Sequence, residues 1–406
     1  MMLPEGWKRC ALGEIAQITS GGTPDRSEPS YWNGTIPWVT TGEIQFNAIM
    51  DTTEKITEAG LKNSSAKLFS PGTLLMAMYG QGKTRGQVAK LCISATTNQA
   101  CAAILLNETE HTEFFYQFLA SHYEEIRELG NAGTQKNLNA GLIKEISVPV
   151  PPKSEQERIA AILVTWDEAI AATEKLLANS RKQKQALMQH YLCAKGAISN
   201  SSSRWQLHRL REIAARTQRP SDGVEYPILM ISSGSGFVRQ DEKYCRFMAG
   251  KSLNDYILLK QSEFAYNKGN SKRYEFGCVF PLENYAQGLV PHVYVCFSLS
   301  SKCDPTFFKY LFEADYLHDQ LGALVNTGVR NNGLLNIRPS DFMNVRVPVP
   351  PMDEQRAIAR VLDTASAEIA LREQDLSALK QQKRALMQQL LTGKRRIRVP
   401  ATEATP

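Results

Sequence analysis

The chain has 406 residues, of which 43% are apolar and 22% charged, and its net charge at neutral pH is +6. This length exceeds what one ordinary hydrophobic core organises, so two or three domains are expected. The longest apolar run, residues 100–106, is far too short to span a membrane, and no basic and apolar leader opens the sequence. We therefore expect globular domains located in the cytoplasm.

The charged residues are unevenly distributed along the chain. The net charge is −3 for residues 1–150, +2 for 151–195, +4 for 196–350 and +3 for 351–406. A uniformly basic surface that encloses DNA is therefore not expected. Phosphate contacts would need cations concentrated on one face of each domain. The eight cysteines stand singly, without a Cys-x-x-Cys pair or a histidine cluster, so the sequence predicts neither a metal site nor disulfides.

Residues 1–150 predict a mixed α/β module. Apolar segments between Gly, Pro and Asn turns predict strands at 36–46, 73–79, 87–93 and 101–106, followed by a helix at 111–129. Residues 204–349 predict a second module with the same order of elements. Its predicted strands are 226–231, 256–266, 276–281 and 289–299, and its predicted helix is 305–322.

A long helix is predicted after each module, within residues 151–195 and 350–393. A Pro-Pro pair ends the preceding strand, and Ser154 or Asp353 is the expected N-cap. Apolar residues at alternating spacings of four and three predict a coiled-coil seam, with a few polar positions that fix its register. The seam residues are Ile159, Leu163, Trp166, Ile170, Leu177, Leu187, Ile358, Leu362, Ile369, Leu376, Leu386 and Leu390. Packing of each helix on its own module is the alternative, but the length of the seam favours pairing of the two helices.

The two halves are related by an internal repeat. The segment that begins at Val148 aligns without a gap to the segment that begins at Val347, and about half of the aligned positions are identical. Residues 7–16 resemble residues 205–214 in the same way, whereas the intervening sequences differ. A pseudo-two-fold axis between such halves would make the helices antiparallel. The sequence thus predicts an α+β protein with two mixed α/β domains joined by two long antiparallel coiled-coil helices, a linker at 196–203 and a basic tail at 394–406.

Two Gly-rich segments carry the side chains that groove recognition requires. Residues 77–84 also match a relaxed phosphate-loop pattern, but the sequence that follows predicts a turn and a strand instead of the helix that a nucleotide site needs. We predict DNA contacts from Gln81, Lys83, Thr84 and Arg85 in this segment and from Lys268, Asn270, Lys272 and Arg273 in the second. A solvated charged turn is the alternative for both.

Polar loops offer further candidate contacts with DNA. Two of these loops precede the Pro-Pro pairs, and one follows the strand predicted at 36–46. Their candidates are Gln135, Lys136, Asn137, Arg330, Asn331, Thr40 and Thr41. Ordinary polar turns are nearly as good an interpretation of these loops.

The repeated motifs resemble those of type I restriction-modification specificity subunits over essentially the whole chain. They are the two Val-Pro-Val-Pro-Pro openings with their Glu-Gln pairs, the helix endings at 184–189 and 383–394, and the start at 7–16 with residues 21–24. The resemblance implies that each domain reads one half of a split double-stranded DNA target, while the helices set the gap and dock two methylation subunits. It also implies restriction and motor subunits as partners. S-adenosylmethionine, ATP and magnesium would bind to the partners, and no cofactor is expected in this chain.

Missing catalytic motifs agree with a recognition role. The chain lacks the Asn/Asp-Pro-Pro-aromatic loop of an amino-methyltransferase, and we interpret Asp241-Glu242-Lys243 as a turn and not as part of a nuclease site. A specificity subunit for a fused nuclease-methylase is an alternative. More distant alternatives are a phosphate-loop NTPase with a coiled-coil arm and a coiled-coil scaffold whose end domains bind proteins.

Overall fold

The computed structural model describes residues 3–80, 82–130, 137–193, 205–243, 255–325 and 335–397. Backbone contacts divide the chain into two units. Unit 1 comprises Met1–Glu174 and Gln374–Pro406, and unit 2 comprises Lys175–Glu373. Each long helix therefore contributes one segment to each unit.

The described strands and helices of the first half alternate as in a mixed α/β fold. The strands are β1 (Lys8–Ala11), β2 (Ala16–Ser20), β3 (Trp32–Val39), β4 (Ala48–Ile49), β5 (Glu54–Ile56), β6 (Leu74–Ala77), β7 (Val88–Leu91), β8 (Thr96–Thr97), β9 (Cys101–Leu106) and β10 (Ser147–Val150). The helices are α1 (Leu12–Ile15), α2 (Glu58–Lys62), α3 (Thr112–Ser121), α4 (Tyr123–Leu129), α5 (Ala140–Lys144) and α6 (Lys153–Met188).

Three sheets organise these strands. The largest has the order β2-β9-β6-β7-β4, a second has the order β5-β3-β8, and β1 pairs with β10 where the module joins α6. In the largest sheet Ala16 lies opposite Leu106, and Ala77 lies opposite Cys101. The turn after β6 is therefore at the end of the sheet opposite to α1.

The second half has corresponding elements. Its strands are β11 (Gln206–Arg209), β12 (Ala214–Arg216), β13 (Leu229–Ser232), β14 (Gly236–Arg239), β15 (Ile257–Lys260), β16 (Phe264–Asn267), β17 (Cys278–Pro281), β18 (Gln287–Val290), β19 (Val295–Leu299) and β20 (Arg346–Val349). Its helices are α7 (Leu210–Ile213), α8 (Gln240–Lys243), α9 (Pro305–Glu313), α10 (His318–Leu324), α11 (Pro339–Phe342) and α12 (Met352–Leu390). The sheet order β12-β19-β16-β17 matches β2-β9-β6-β7, and β11 pairs with β20 as β1 does with β10. The predicted repeat of two mixed α/β modules is confirmed.

Several predicted elements are interrupted in the structure. The strand predicted at 256–266 is two strands, because Ser262 adopts a left-handed turn with φ of 67°. Pro291 follows β18 and separates it from β19, so the prediction of one strand at 289–299 is also wrong. The strand predicted at 36–46 ends at Val39.

The predicted helices differ in their ends and continuity. The helix predicted at 111–129 breaks at His122 into α3 and α4, and that at 305–322 is divided into α9 and α10. The segment that begins at Asp241 is the end of α8 and not a turn. Because α6 and α12 begin at Lys153 and Met352, Ser154 and Asp353 lie inside the first turns and are not N-caps.

The helix segments within unit 1 are antiparallel. Asp167 Oδ1 lies 2.5 Å from Lys383 Nζ, and Glu174 lies 2.6 Å from the ammonium group of Lys380. The residue number on α12 falls as the residue number of its partner on α6 rises, so the two segments run in opposite directions. Lys383 also donates to Gln117 of α3 at 3.1 Å, so this lysine also joins the helix pair to the first module.

Within unit 2 the remaining helix segments also lie together. Ser180 Oγ donates to Glu368 at 3.1 Å, and Met188 shares a core cluster with Ile358. The predicted seam residues of both helices are buried or half-buried; they are Ile159, Leu163, Trp166, Ile170, Leu177, Leu187, Ile358, Leu362, Ile369, Leu376, Leu386 and Leu390. The coiled-coil pairing is combined with module packing, because the seam residues nearest the helix ends also belong to the module cores.

The repeated Glu-Gln pair anchors each helix to its module. Trp7 Nε1 donates to the buried carboxylate of Glu155 at 2.9 Å. Gln156 accepts from the backbone N–H of His111 at 2.8 Å and donates to the carbonyl of Pro151 at 2.9 Å. These bonds satisfy polar groups at the helix start that would otherwise be buried without partners.

Unit 2 repeats this anchor. Trp205 Nε1 donates to Glu354 at 3.1 Å, and Gln355 bonds to the N–H of Asp304 at 2.7 Å and to the carbonyl of Pro350 at 2.8 Å. The similarity of the two ends of each half therefore has a structural cause. Among the described residues, no helix is both long and apolar enough to cross a membrane.

Candidate DNA interface

The first Gly-rich segment is the loop of the β6–β7 hairpin. Gly80, Gly82 and Gly86 have φ of 141°, 77° and 86°, a backbone conformation that residues other than glycine rarely adopt. A Cβ on Gly80 would also lie 2.8 Å from that of Thr84. The glycines therefore serve the fold of the loop, and β7 follows where a phosphate loop would need a helix.

The predicted contact residues of this loop differ in exposure. The side chain of Lys83 is exposed and has no ion-pair or hydrogen-bond partner among the described residues, and Thr84 is half-buried. Arg85 is 7% exposed, so its guanidinium group is not presented to DNA in this conformation. We therefore leave Arg85 out of the proposed interface. Gln81 lies outside the described residues.

A second predicted segment meets this hairpin. The backbone N–H of Leu138 donates to the carbonyl of Met78 at 3.0 Å, which places the exposed residue Asn137 beside the first residue of the loop. The predicted contacts Gln135 and Lys136 lie outside the described residues.

The second Gly-rich segment is the loop of the β16–β17 hairpin. Asn270, Lys272 and Arg273 are exposed, and Lys268 is half-buried. The N–H of Leu335 donates to the carbonyl of Lys268 at 3.1 Å, so a segment near the end of the module again meets the hairpin loop. The neighbouring candidates Arg330 and Asn331 lie outside the described residues.

The aromatic residues that flank this second loop are structural. Tyr274 is buried, and burial raises its pKa to about 12, so its hydroxyl stays protonated and donates to the carbonyl of Glu313 at 3.2 Å. Tyr266 is also buried and donates to the carbonyl of Phe276 at 2.7 Å. Neither ring is available to stack on a base.

Arg273 shares an acidic neighbour with the long helix. Its guanidinium lies 3.5 Å from Glu313, whose carboxylate is held at 2.8 and 3.0 Å by Lys184 of α6. The Lys184 pair is shorter and half-buried, whereas Arg273 is half exposed. Of the two cations beside Glu313, Arg273 is therefore the more exposed and the more distant.

Thr40 and Thr41 shape the turn after β3. The N–H and hydroxyl of Thr40 donate to Glu43 at 2.7 and 3.0 Å, and both threonines are half-buried. The nearby Gly21 is required by packing, since a Cβ there would lie 2.0 Å from the carbonyl oxygen of Thr97.

Sequence reasoning missed several exposed or half-buried groups beside the first hairpin. Tyr79 is 42% exposed and Phe46 is 37% exposed. Tyr123 and Arg127 of α4 donate hydrogen bonds to carbonyls of the loop. The exposure of Phe46 was not predicted, because the sequence pattern placed this residue in a half-buried strand at 36–46. The spacing of four between Tyr123 and Arg127 does place them on one helix face, but it does not indicate what that face contacts.

A family model described as the type I restriction modification DNA specificity domain matches this chain twice, over residues 4–179 and 209–381. The chain belongs to this family. The resemblance inferred from the repeated motifs is confirmed, and so is the prediction of a non-catalytic DNA-recognition subunit. The two matches cover both modules and the first part of each long helix.

Individual relatives extend over the whole specificity subunit. The MjaIX specificity subunit of Methanocaldococcus jannaschii is 23% identical over 97% of this chain and 95% of its own length. Among solved structures, the specificity subunit from M. genitalium has a TM-score of 0.58 at 15% identity and covers 96% of this chain and 98% of its own. The HsdS subunit from Thermoanaerobacter tengcongensis has a TM-score of 0.51 at 18% identity, with coverages of 97% and 99%. These two structures share the fold of this specificity subunit.

Proposed function

We propose that each module reads one half of a bipartite DNA target and that its hairpin loop, β6–β7 or β16–β17, makes the central contacts. The supporting observation is that the same arrangement occurs twice, with a hairpin loop bonded to a second polar segment. The exposed side chains differ, with Lys83 in one loop and Asn270, Lys272 and Arg273 in the other. Different amide and cationic donors on one scaffold suit two different half-targets.

The partners and cofactors follow from this role. Two methylation subunits dock on the helices and bind S-adenosylmethionine, and restriction and motor subunits supply ATP and magnesium chemistry. The exposed Lys182 of α6 is a candidate contact for a partner, whereas the neighbouring Arg181 is paired with Glu373 at 2.6 Å. We place the complex in the prokaryotic cytoplasm, where its DNA substrate lies.

Exchange of residues 1–150 tests the modular reading. The chain is assembled with its methylation subunits, and methylated adenines are mapped on genomic DNA before and after replacement of these residues by those of another specificity subunit. We expect one half of the target to change and the other to persist. A change in both halves, or in neither, would refute modular reading.

Lys83→Ala tests the hairpin loop. Loss of one phosphate contact should weaken binding to all sequences and lower the slope of log affinity against log salt by about one. Lys144→Ala is the matched control, because this exposed lysine lies against Gly13 of α1, at the opposite end of the sheet. Equal slopes for Lys83→Ala, Lys144→Ala and the unaltered complex would remove the loop from the interface.

A further inference from the structure

Helix α4 donates two hydrogen bonds to the backbone of the first hairpin loop. The hydroxyl of Tyr123 donates to the carbonyl of Lys83 at 2.5 Å, and the guanidinium of Arg127 donates to the carbonyl of Gly82. Both donors lie on one helix face because they are four residues apart. Neither bond involves a loop side chain. The two bonds therefore restrain the backbone conformation of the loop and leave the side chain of Lys83 exposed.

The loop needs such a constraint. Gly80, Gly82 and Gly86 permit many backbone conformations, and an unrestrained loop would lose that freedom each time it bound DNA. Bonds to two successive carbonyls at the tip restrict it before binding. A loop ordered in advance binds its correct partner with a smaller entropic cost and adapts less easily to an incorrect one.

The backbone conformation of Phe46 is an independent indication that this region is functionally constrained. Its φ of 55° lies in the left-handed region, where a bulky side chain is strained. The other described non-glycine residues with positive φ are small and polar: Asn33, Ser262 and Asp315. The strained backbone places the partly exposed ring of Phe46 edge-on against Tyr123, with centroids 5.2 Å apart and an angle of 89° between the planes. Strain of this kind persists where a surrounding contact or a function requires it.

We propose that Phe46, Tyr123 and Arg127 form a clamp that presets the conformation of the β6–β7 loop for base discrimination in one half of the target. Tyr123 and Arg127 are positioning residues, because they act through the loop backbone, and Phe46 holds the ring of Tyr123 in place. This clamp rests on the proposed role of the hairpin in DNA reading. It makes discrimination by the first module depend on residues of α4, outside the hairpin itself.

Tyr123→Phe is the first test, since it removes one hydroxyl and no charge. Arg127→Lys keeps the charge but changes the geometry of the donor, and Glu124→Gln, at an exposed position of the same helix, is the matched control. The variants are measured in the complex with methylation subunits. The ratio of methylation rates on the cognate target and on targets with one changed base is determined separately for each half.

We expect Tyr123→Phe and Arg127→Lys to lower discrimination in one half of the target by about threefold to tenfold, the range for loss of one hydrogen bond. Discrimination in the other half and the salt slope should stay unchanged, because the second module and the number of cations are unaltered. The thermal midpoint should fall by no more than the few degrees that loss of one hydrogen bond causes. Amide hydrogen exchange in residues 82–86 should become faster in the free chain. A merely structural defect would instead lower discrimination in both halves together and impair assembly with the methylation subunits.

The outcomes separate the clamp from the interface. Wild-type discrimination by both variants, together with a reduced salt slope for Lys83→Ala, would overturn the clamp and leave the hairpin in contact with DNA. Wild-type DNA binding by all three variants would overturn both proposals. Loss of methylation-subunit binding with unchanged DNA discrimination would show that this face docks a protein, which also overturns the clamp.

Discussion

Replacement of Trp7 by phenylalanine isolates the hydrogen bond that ties α6 to the first module. The indole Nε1 donates at 2.9 Å to Glu155, which is 2% exposed, and the ring also packs edge-on against Phe114 at a centroid distance of 6.5 Å. Phenylalanine keeps the aromatic contact but has no donor. A hydrogen bond to a buried charged group is worth about 1.5–3 kcal/mol. Because Arg396 still pairs with Glu155 at 2.9 Å, we expect a loss of about 1.5–3 kcal/mol and no larger collapse.

The second module supplies the matched control. Trp205→Phe removes the equivalent bond to Glu354, which is longer at 3.1 Å and joins two half-buried side chains. Water can replace much of that bond, so this variant should lose only about 0.5–1.5 kcal/mol. The two substitutions delete the same atoms from the same motif, and the sites differ in burial and in the ion pair that Arg396 makes with Glu155.

Urea unfolding followed by far-ultraviolet circular dichroism measures both losses. Because two compact units need not unfold in one transition, hydrogen exchange of peptides from each unit assigns the change. The larger effect should appear in unit 1 for Trp7→Phe. Equal losses for the two variants, or a loss below about 0.5 kcal/mol for Trp7→Phe, would refute the view that the buried carboxylate depends on this donor.

Two further predictions concern packing and thiol chemistry. Gly21→Ala forces a Cβ to within 2.0 Å of a backbone carbonyl and should cost about 1–3 kcal/mol or more. Gly42→Ala should cost little in the same urea assay, because its Cβ would lie 3.8 Å from Thr40 Oγ1, an ordinary contact distance. Burial raises the pKa of Cys101 to about 12, so its thiol stays protonated at pH 8. Iodoacetamide should therefore modify the half-buried Cys92 well before Cys101, as followed by mass spectrometry, and equal rates would contradict the buried environment.

Local and periodic patterns determined much of the architecture from the sequence alone. The strands and the two long helices follow from patterns within short windows of the chain, and the repeat follows from a comparison of its two halves. The seam positions recur every three or four residues on each helix, from Ile159 to Leu187 and from Ile358 to Leu390. This spacing defines one helix face, whatever that face packs against. The Gly-rich loops were also visible, because glycine is favoured wherever the backbone turns into the left-handed region.

Only the tertiary structure decided which polar groups are buried and what they bind. Arg85 and Lys83 are two residues apart in one polar loop, yet one is buried and the other exposed. Glu155 looks like any acidic residue in a first helical turn, and its role appears only when Trp7, 148 positions away, donates to it. Phe46 has the pattern of a strand residue, but its strained backbone presents the ring to α4. The physical reason is that burial and hydrogen bonding depend on groups distant in sequence, which a local pattern does not contain.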